Sequence, residues 1–269
     1  MNSAPKSFSW FLILWTGQFL SRIGSGVSAF TLGIYLFQQS QSTSIYSFLL
    51  LCAFLPSVLL APLGGVIADR NDRKLMMVVG DLGSSSAILF IIIMFLLCPD
   101  KHWPIYLGIA VSSMFVALHS PAFKASVSDL LDEKEYSKAA GLVQLAEASR
   151  YVVSPIIAGF LLTRFSLPLA LAIDLTTFAI GAITVILIRN VSMQPCQKGE
   201  KKYYREDFIE GLRYIVRNKI LFHLLYLTTI VTFLTGTLQV LFVPLLLSLT
   251  DAATLGTIQT ISASGMLVS

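Results

Sequence analysis

Eight apolar stretches, joined by links that are mostly short and polar, leave this chain few ways to fold. They fall at about 8–37, 43–67, 75–97, 104–125, 138–163, 168–189, 219–248 and 253–269. A bilayer's hydrocarbon core is about 30 Å thick, and a helix of roughly 20 residues crosses it. In lipid the backbone must satisfy its own hydrogen bonds, so runs of this length and polarity predict helices. Charged residues make up 13% of the 269, against about 25% in an ordinary soluble domain. The first stretch differs from a secretory signal: it runs too long, lacks a small-residue cleavage site and precedes many further spans. The reading is an all-α polytopic membrane protein.

The charges that remain are placed unevenly. Lys6, the group Arg70, Arg73 and Lys74, the group Lys124, Lys134 and Lys138, and the eight basic residues from Arg189 to Lys219 all fall on one side of an alternating topology. The opposite side receives Lys101 and Arg164, and Arg22 and Arg150 lie inside spans. Positive charge collects on the cytoplasmic side, which puts the N-terminus there and the protein in the cytoplasmic membrane. The net charge of +4 is thereby spent on loops and does not indicate nucleic acid. Cys52, Cys98 and Cys196 have no metal-ligand spacing, so neither a disulfide framework nor a metal site is expected. No Gly-rich loop closing in Lys-Ser/Thr occurs, so no nucleotide is expected to bind in that manner. No nucleophile motif occurs either. An enzyme is not expected, and neither is a cofactor.

The link between the second and third stretches runs Gly64-Gly65-Val66-Ile67-Ala68-Asp69-Arg70-Asn71-Asp72-Arg73-Lys74. Five charges within six residues must sit at the mouth of a helical hairpin, in water. Gly65, Asp69, Arg70, Arg73 and Lys74 stand in the register of a loop signature of the major facilitator superfamily, with Asp72 where that signature most often has Gly. The chain therefore resembles this family of secondary transporters. A second resemblance lies in the fifth span. Gly141, Ser154, Pro155, Ala158 and Gly159 follow the spacing of the family's antiporter signature, and Arg150 departs from it. Small residues there let a neighbouring helix come close, and Pro bends the span. The stretch from His119-Ser120-Pro121 to Leu131-Asp132-Glu133 looks like the macrolide-efflux and siderophore-exporter branch.

The resemblance implies a twelve-span bundle in two halves. On that plan residues 1–189 form a six-span N-terminal bundle and 190–218 a cytoplasmic linker. Residues 219–269 are then about two spans of the second half, in a fragment or a C-terminally truncated chain. Within the linker, Phe208, Leu212 and Ile215 make an apolar stripe on a basic segment, which suits either a helix at the membrane surface or a solvated linker.

Ionisable groups inside spans cost about 2.5–3.5 kcal/mol each on insertion scales, so each needs a partner or a wet cavity. Gln18, Ser21, Arg22 and Ser25 form one polar stripe on the first span. Arg22 is roughly 21 Å along the axis from the cytoplasmic end. The stripe reads either as cavity lining or as half of an inter-helix ion pair. Asp81 reads first as a structural partner for Arg70 or Arg73, and second as a proton site. Asp174 reads as an inter-helix hydrogen bond, and His119 as a hydrogen-bonded packing residue. Glu147 and Arg150, at i and i+3, share a face and read either as a proton-coupling pair or as a permanent ion pair. On the seventh span, Thr228, Thr232, Thr235 and Gln239 would suit a cavity wall or bond back to their own helix.

These residues and the resemblance together imply a proton-coupled exporter of a moderately hydrophobic small molecule, drug- or siderophore-like, working by alternating access in the bilayer. Uptake of a small solute, or a non-transporting remnant or assembly partner, are the competing readings. The charge asymmetry makes the topology testable. In intact cells an impermeant thiol reagent should label Cys98 when it is the sole cysteine and miss Cys196 when that one is, and the reverse pattern would overturn the orientation.

Overall fold

The computed structural model describes residues 8–188, 213, 214 and 216–268, with the side chains of residues 69, 70, 133, 134 and 263–268 outside that set. Among the described residues the long helices are, in chain order, α1 (Phe8–Ser40), α2 (Thr43–Arg70), α3 (Arg73–Leu97), α4 (Trp103–Leu130), α5 (Glu133–Arg164), α6 (Leu167–Leu187), α7 (Lys219–Leu247) and α8 (Ala252–Val268). Seven of them, α1 to α7, are long and apolar enough to cross a membrane. The described residues hold no strand, and the protein is an all-α, multi-pass membrane protein. The expected spans recur, but α4 ends five residues later and α5 begins five residues earlier than the apolar runs suggested. The turns at 126–130 and 133–137, the second of them strongly polar, continue their helices, because hydropathy marks where lipid ends and not where helical hydrogen bonding ends. The linker proposal rests on residues outside the described set, apart from Arg213, Tyr214, Val216 and Arg217, which are helical and exposed, and Asn218, which caps the next helix.

Two apolar layers close the ends of the bundle formed by α1 to α6. One joins Phe11 and Leu14 of α1 to Met77, Phe123, Leu130, Ala139 and Ile188, the ends of α3 to α6 that meet the charged links. The other joins Leu32 and Leu36 of α1 to Leu49, Ile91, Ile105, Leu167 and Leu171 at the opposite ends. The polar residues of the spans are collected in the slab between the layers. Within this bundle α1 packs on α5 and α6, α2 on α4, and α3 on α4 and α6.

Proline breaks inside the helices are repaired by neighbours. Pro56 has no N–H to donate and disturbs the ladder of α2. There Ser113 of α4 accepts from Ser57 N at 3.2 Å and donates to Ala53 O at 2.6 Å, bridging the gap with one hydroxyl. In α5, Ser154 donates to Ile23 O of α1 at 2.9 Å beside Pro155. On the other face of α5, Thr260 of α8 donates to Val152 O at 2.7 Å.

The last two helices attach differently. Helix α8 lies along α5, where Gly256 faces Pro155 O and Gly159 faces Ala252. Asp251 caps α8 by accepting from Thr254 N at 3.2 Å. The Thr254 hydroxyl and N–H hold this exposed carboxyl below the usual carboxylate range. Helix α7 touches α2 and α8 and is exposed along most of its length, with Val243 and Pro244 as its buried residues.

The loop signature singles out Gly65, but a Cβ built there meets nothing within 4 Å. Its neighbour Gly64 is the tightly packed one, facing Ala117 O of α4, so a side chain there would drive α2 and α4 apart. Overpacking of this kind costs about 1–3 kcal/mol. Gly64→Ala should therefore lower the melting temperature of the detergent-purified protein by several degrees, whereas Gly65→Ala should leave it unchanged.

Candidate functional site

Between the two apolar layers lies a cavity of about 210 Å³ to which all six helices of the bundle contribute. Helix α1 lines it with Gln18, Ser21, Arg22, Ser25 and Ser28, the stripe read from the sequence, extended by one turn. Opposite stand Asp81 and Ser84 of α3, and His119 of α4. Arg150 of α5 and Asp174 of α6 close it, and α2 adds Ala53, Phe54 and Ser57. A polar stripe on an otherwise apolar helix has one sheltered place to go in a bilayer, the bundle interior, and six such helices pool their polar groups there.

Arg22 donates to Glu147 of α5, the two forming an ion pair with Arg22 largely buried. Its guanidinium also stands 5.7 Å from the centroid of Phe123, and the His119 ring stacks on that same ring at 6.3 Å. The expected Glu147–Arg150 pair is thus corrected. One face of a helix is wide enough for the two residues to diverge, and Glu147 turns to the longer reach of Arg22. Arg150 turns to the cavity, which it lines together with Asp174, and its stem lies against Gly26. Asp174 accepts from Ser25 Oγ at 3.3 Å, the inter-helix bond the sequence suggested.

Asp81 is corrected as well. It lies deep, 3% exposed, and its Oδ1 is 3.4 Å from His119 Nε2, so its neighbour is a histidine across the α3–α4 contact and not Arg73. Arg73 is itself 7% exposed and not in water. It donates to Ala125 O at 2.8 Å and pairs with Asp129 of α4. The sequence reading ended the fourth span at residue 125 and so missed Asp129. Its signal was the run Ala122, Ser126, Asp129 at i, i+4 and i+7, one helical face continuing past the apolar stretch. Asp72 caps α3 by accepting from Lys74 N at 2.9 Å. The side chains of Asp69 and Arg70 lie outside the described residues.

The seventh-span stripe does not reach this cavity. Thr232 lies in a separate apolar groove with Leu221, Leu224, Leu225, Thr228, Thr229 and Phe233, and Gln239 is exposed. Thr235 donates back to Val231 O at 2.9 Å within its own helix. Of the fifth-span signature, Gly141 faces open space, Ser154 and Ala158 are buried against α1 and α6, and Pro155 and Gly159 face α8. Among the described residues no cluster of His, Cys, Asp and Glu could hold a metal ion.

The described residues thus form a polytopic helical bundle whose ionisable groups line an internal cavity. The family model of the Major Facilitator Superfamily matches residues 14–269, and the chain belongs to that family. It is 30% identical over 234 residues to Macrolide efflux protein A of Streptococcus pyogenes, covering 86% of this chain and 57% of that one. It is 25% identical over 239 residues to Multidrug resistance protein MdtG of Proteus mirabilis, again covering 86% and 57%. The chain thus spans little more than half the length of these relatives. The crystal structure of a POT family transporter in complex with 5-aminolevulinic acid shares the fold, with a TM-score of 0.56 at 16% identity, over 86% of this chain and 49% of that one.

The Arg22–Glu147 pair has a direct test. Glu147→Gln leaves a buried guanidinium without its carboxylate, which should cost about 2.5–3.5 kcal/mol and lower the amount of protein in the membrane. Adding Arg22→Gln should restore that amount, whereas adding Arg150→Gln should not.

Proposed function

We propose that the protein is a secondary active transporter of the cytoplasmic membrane, exporting a moderately hydrophobic small molecule in exchange for protons. The observation that carries this reading is the cavity between the apolar layers, where carboxylates, arginines and a histidine meet. Ionisable groups so placed are retained where ions or solutes pass. Export is favoured by the similarity to relatives named for macrolide efflux and multidrug resistance. The substrate is read as drug- or siderophore-like, and no nucleic acid or nucleotide takes part. The N-terminus, with the end of the bundle that carries Arg73 and Lys74, faces the cytoplasm.

Alternating access needs surfaces that can separate and others that can slide. The close, small-residue contact of α5 with α8 suits sliding, since Gly159 and Gly256 let backbones approach without interlocking side chains. The group Gly65, Asp69, Arg70, Arg73 and Lys74 is assigned to the cytoplasmic closure of the outward-open state. Arg73 is its anchor, tied to Asp129.

The test uses the full-length protein in inside-out vesicles with a radiolabelled macrolide such as erythromycin. An acid interior should drive accumulation, and dissipating the pH gradient should abolish it. Asp69→Asn should reduce the initial rate at least tenfold with the amount of protein in the membrane unchanged. Wild-type rates in Asp69→Asn would remove the charged link from the mechanism, and indifference to the pH gradient would remove proton coupling.

A further inference from the structure

Helix α2 is broken where it borders the cavity. Pro56 has no N–H for Cys52 O, and its ring crowds that carbonyl, so the ladder is weakened at this turn. Ser113 of α4, itself 6% exposed, reaches the break and serves both sides of it, accepting from Ser57 N and donating to Ala53 O. The Ser57 hydroxyl adds a bond to Phe54 O at 2.8 Å. Two successive carbonyls of the turn thus have hydroxyl donors besides the helical ladder. At Pro155 of α5 the hydroxyls act singly, Ser154 on Ile23 O of α1 and Thr260 on Val152 O. In lipid a helix resists bending because a stretched backbone bond finds no water to replace it. With its carbonyls covered in advance, the turn from Ala53 to Ser57 escapes much of that penalty.

The two segments of α2 on either side of Pro56 answer to different partners. After the break, Gly64 sits on Ala117 O of α4, and Ala68 belongs to the apolar layer at the charged end. Before it, Tyr46 and Leu50 join Val243 and Leu246 of α7 and Ala252 and Leu255 of α8 in one apolar cluster, while Leu49 reaches the bundle's own layer. The first segment therefore stands between the bundle and the later helices, and the second is fixed on α4. Everything that α2 gives the cavity lies at the break between them: Ala53, Phe54 and Ser57. A change of angle there moves a wall of the cavity together with the contact to α7 and α8.

We propose that residues 53–57 are a hinge in α2 and that Ser113 is its positioning residue. The first segment swings with α7 and α8, and the second stays on α4. As the turn opens, Ala53 O and Ser57 N shift from each other onto the Ser113 hydroxyl, and as it closes they return. No backbone group is left bare at any point of the swing, which is what a hinge inside a bilayer requires. The hinge is a property of α2 itself, and its use in opening and closing the cavity rests on the transport reading above.

The experiment uses the full-length protein in nanodiscs with its native cysteines replaced. Spin labels are paired at exposed positions, Ser44 with Ser166 at one end of the bundle and Asn71 with Lys124 at the other. Double electron–electron resonance should give two distances for the first pair and one for the second. Pro56→Ala returns the missing N–H to Cys52 O. It should leave one distance at both pairs and cut the initial rate of pH-driven erythromycin uptake into inside-out vesicles at least fivefold, with the amount of protein unchanged. Ser113→Ala should deplete the second distance of the first pair, and Ser113→Thr, which keeps the hydroxyl, should restore it. Adding Ser113→Ala to Pro56→Ala should change nothing further, since a mended ladder no longer needs the hydroxyl. A single distance for Ser44 and Ser166 in the wild type, two distances that persist in Pro56→Ala, or equal movement at both pairs would each overturn the hinge. A loss in Ser113→Ala that Ser113→Thr does not restore would take Ser113 out of its role. Should Ser113→Ala fail to fold, Pro56→Ala and Ser113→Thr decide the matter. An unchanged uptake rate in Pro56→Ala would sever the hinge from transport. No erythromycin uptake by the wild type, with two distances that merge in Pro56→Ala, would remove the transport reading and leave the hinge standing.

Discussion

The structure depends on the expense of an ionised group in a medium that cannot solvate it. Arg22 lies about halfway along α1, and no rotamer carries its guanidinium to either aqueous face. It therefore fixes what must stand beside it: Glu147 of α5, the ring of Phe123, and the edge of a polar cavity. That one requirement draws α1, α4 and α5 to a common depth. Apolar packing alone would not set this register, because lipid tails are as apolar as leucine and helices gain little from apolar contact by itself.

The same economy explains why the polar groups form one slab. Asp81, His119, Asp174 and Arg150 come from four different helices, and each alone would need its own partner. Pooled between the two apolar layers, Asp81 stands beside His119 and Asp174 accepts from Ser25. At the charged end the solution is more local. Arg73 reaches over the last turns of α4 to Asp129 and to Ala125 O, tying α3 to α4 beside the link. One arrangement stores polarity inside the bundle and the other anchors an end.

The two helices beyond the bundle show which contacts hold them. Helix α8 is held to α5 by small residues and by Thr260 on Val152 O, a bond that uses a carbonyl near the Pro155 break. Helix α7, which has long apolar side chains on every side, buries little of itself against the described residues. Small residues permit close backbone approach and large ones fill distance, so the sequence of each helix already separates a close contact from a loose one.

Much of this was legible in the sequence. The eight apolar stretches give the helices, since in lipid a backbone has no alternative. The stripe Gln18, Ser21, Arg22, Ser25 gives the face of α1 that turns inward, because helical periodicity is a local property. The sequence also singled out Asp81, His119, Glu147, Arg150 and Asp174 as groups that need partners. It could not pair them. Glu147 lies three residues from Arg150 and 125 from Arg22, yet it bonds to Arg22. Asp81 lies eight residues from Arg73, yet it faces His119, while Arg73 finds Asp129. Nearness along a helix limits what two side chains can do, but depth in the membrane and the crossing of helices decide what they meet. The cavity is a property of six helices at one level. The seventh-span stripe fell outside it because where α7 packs is decided between helices, beyond what its own periodicity records.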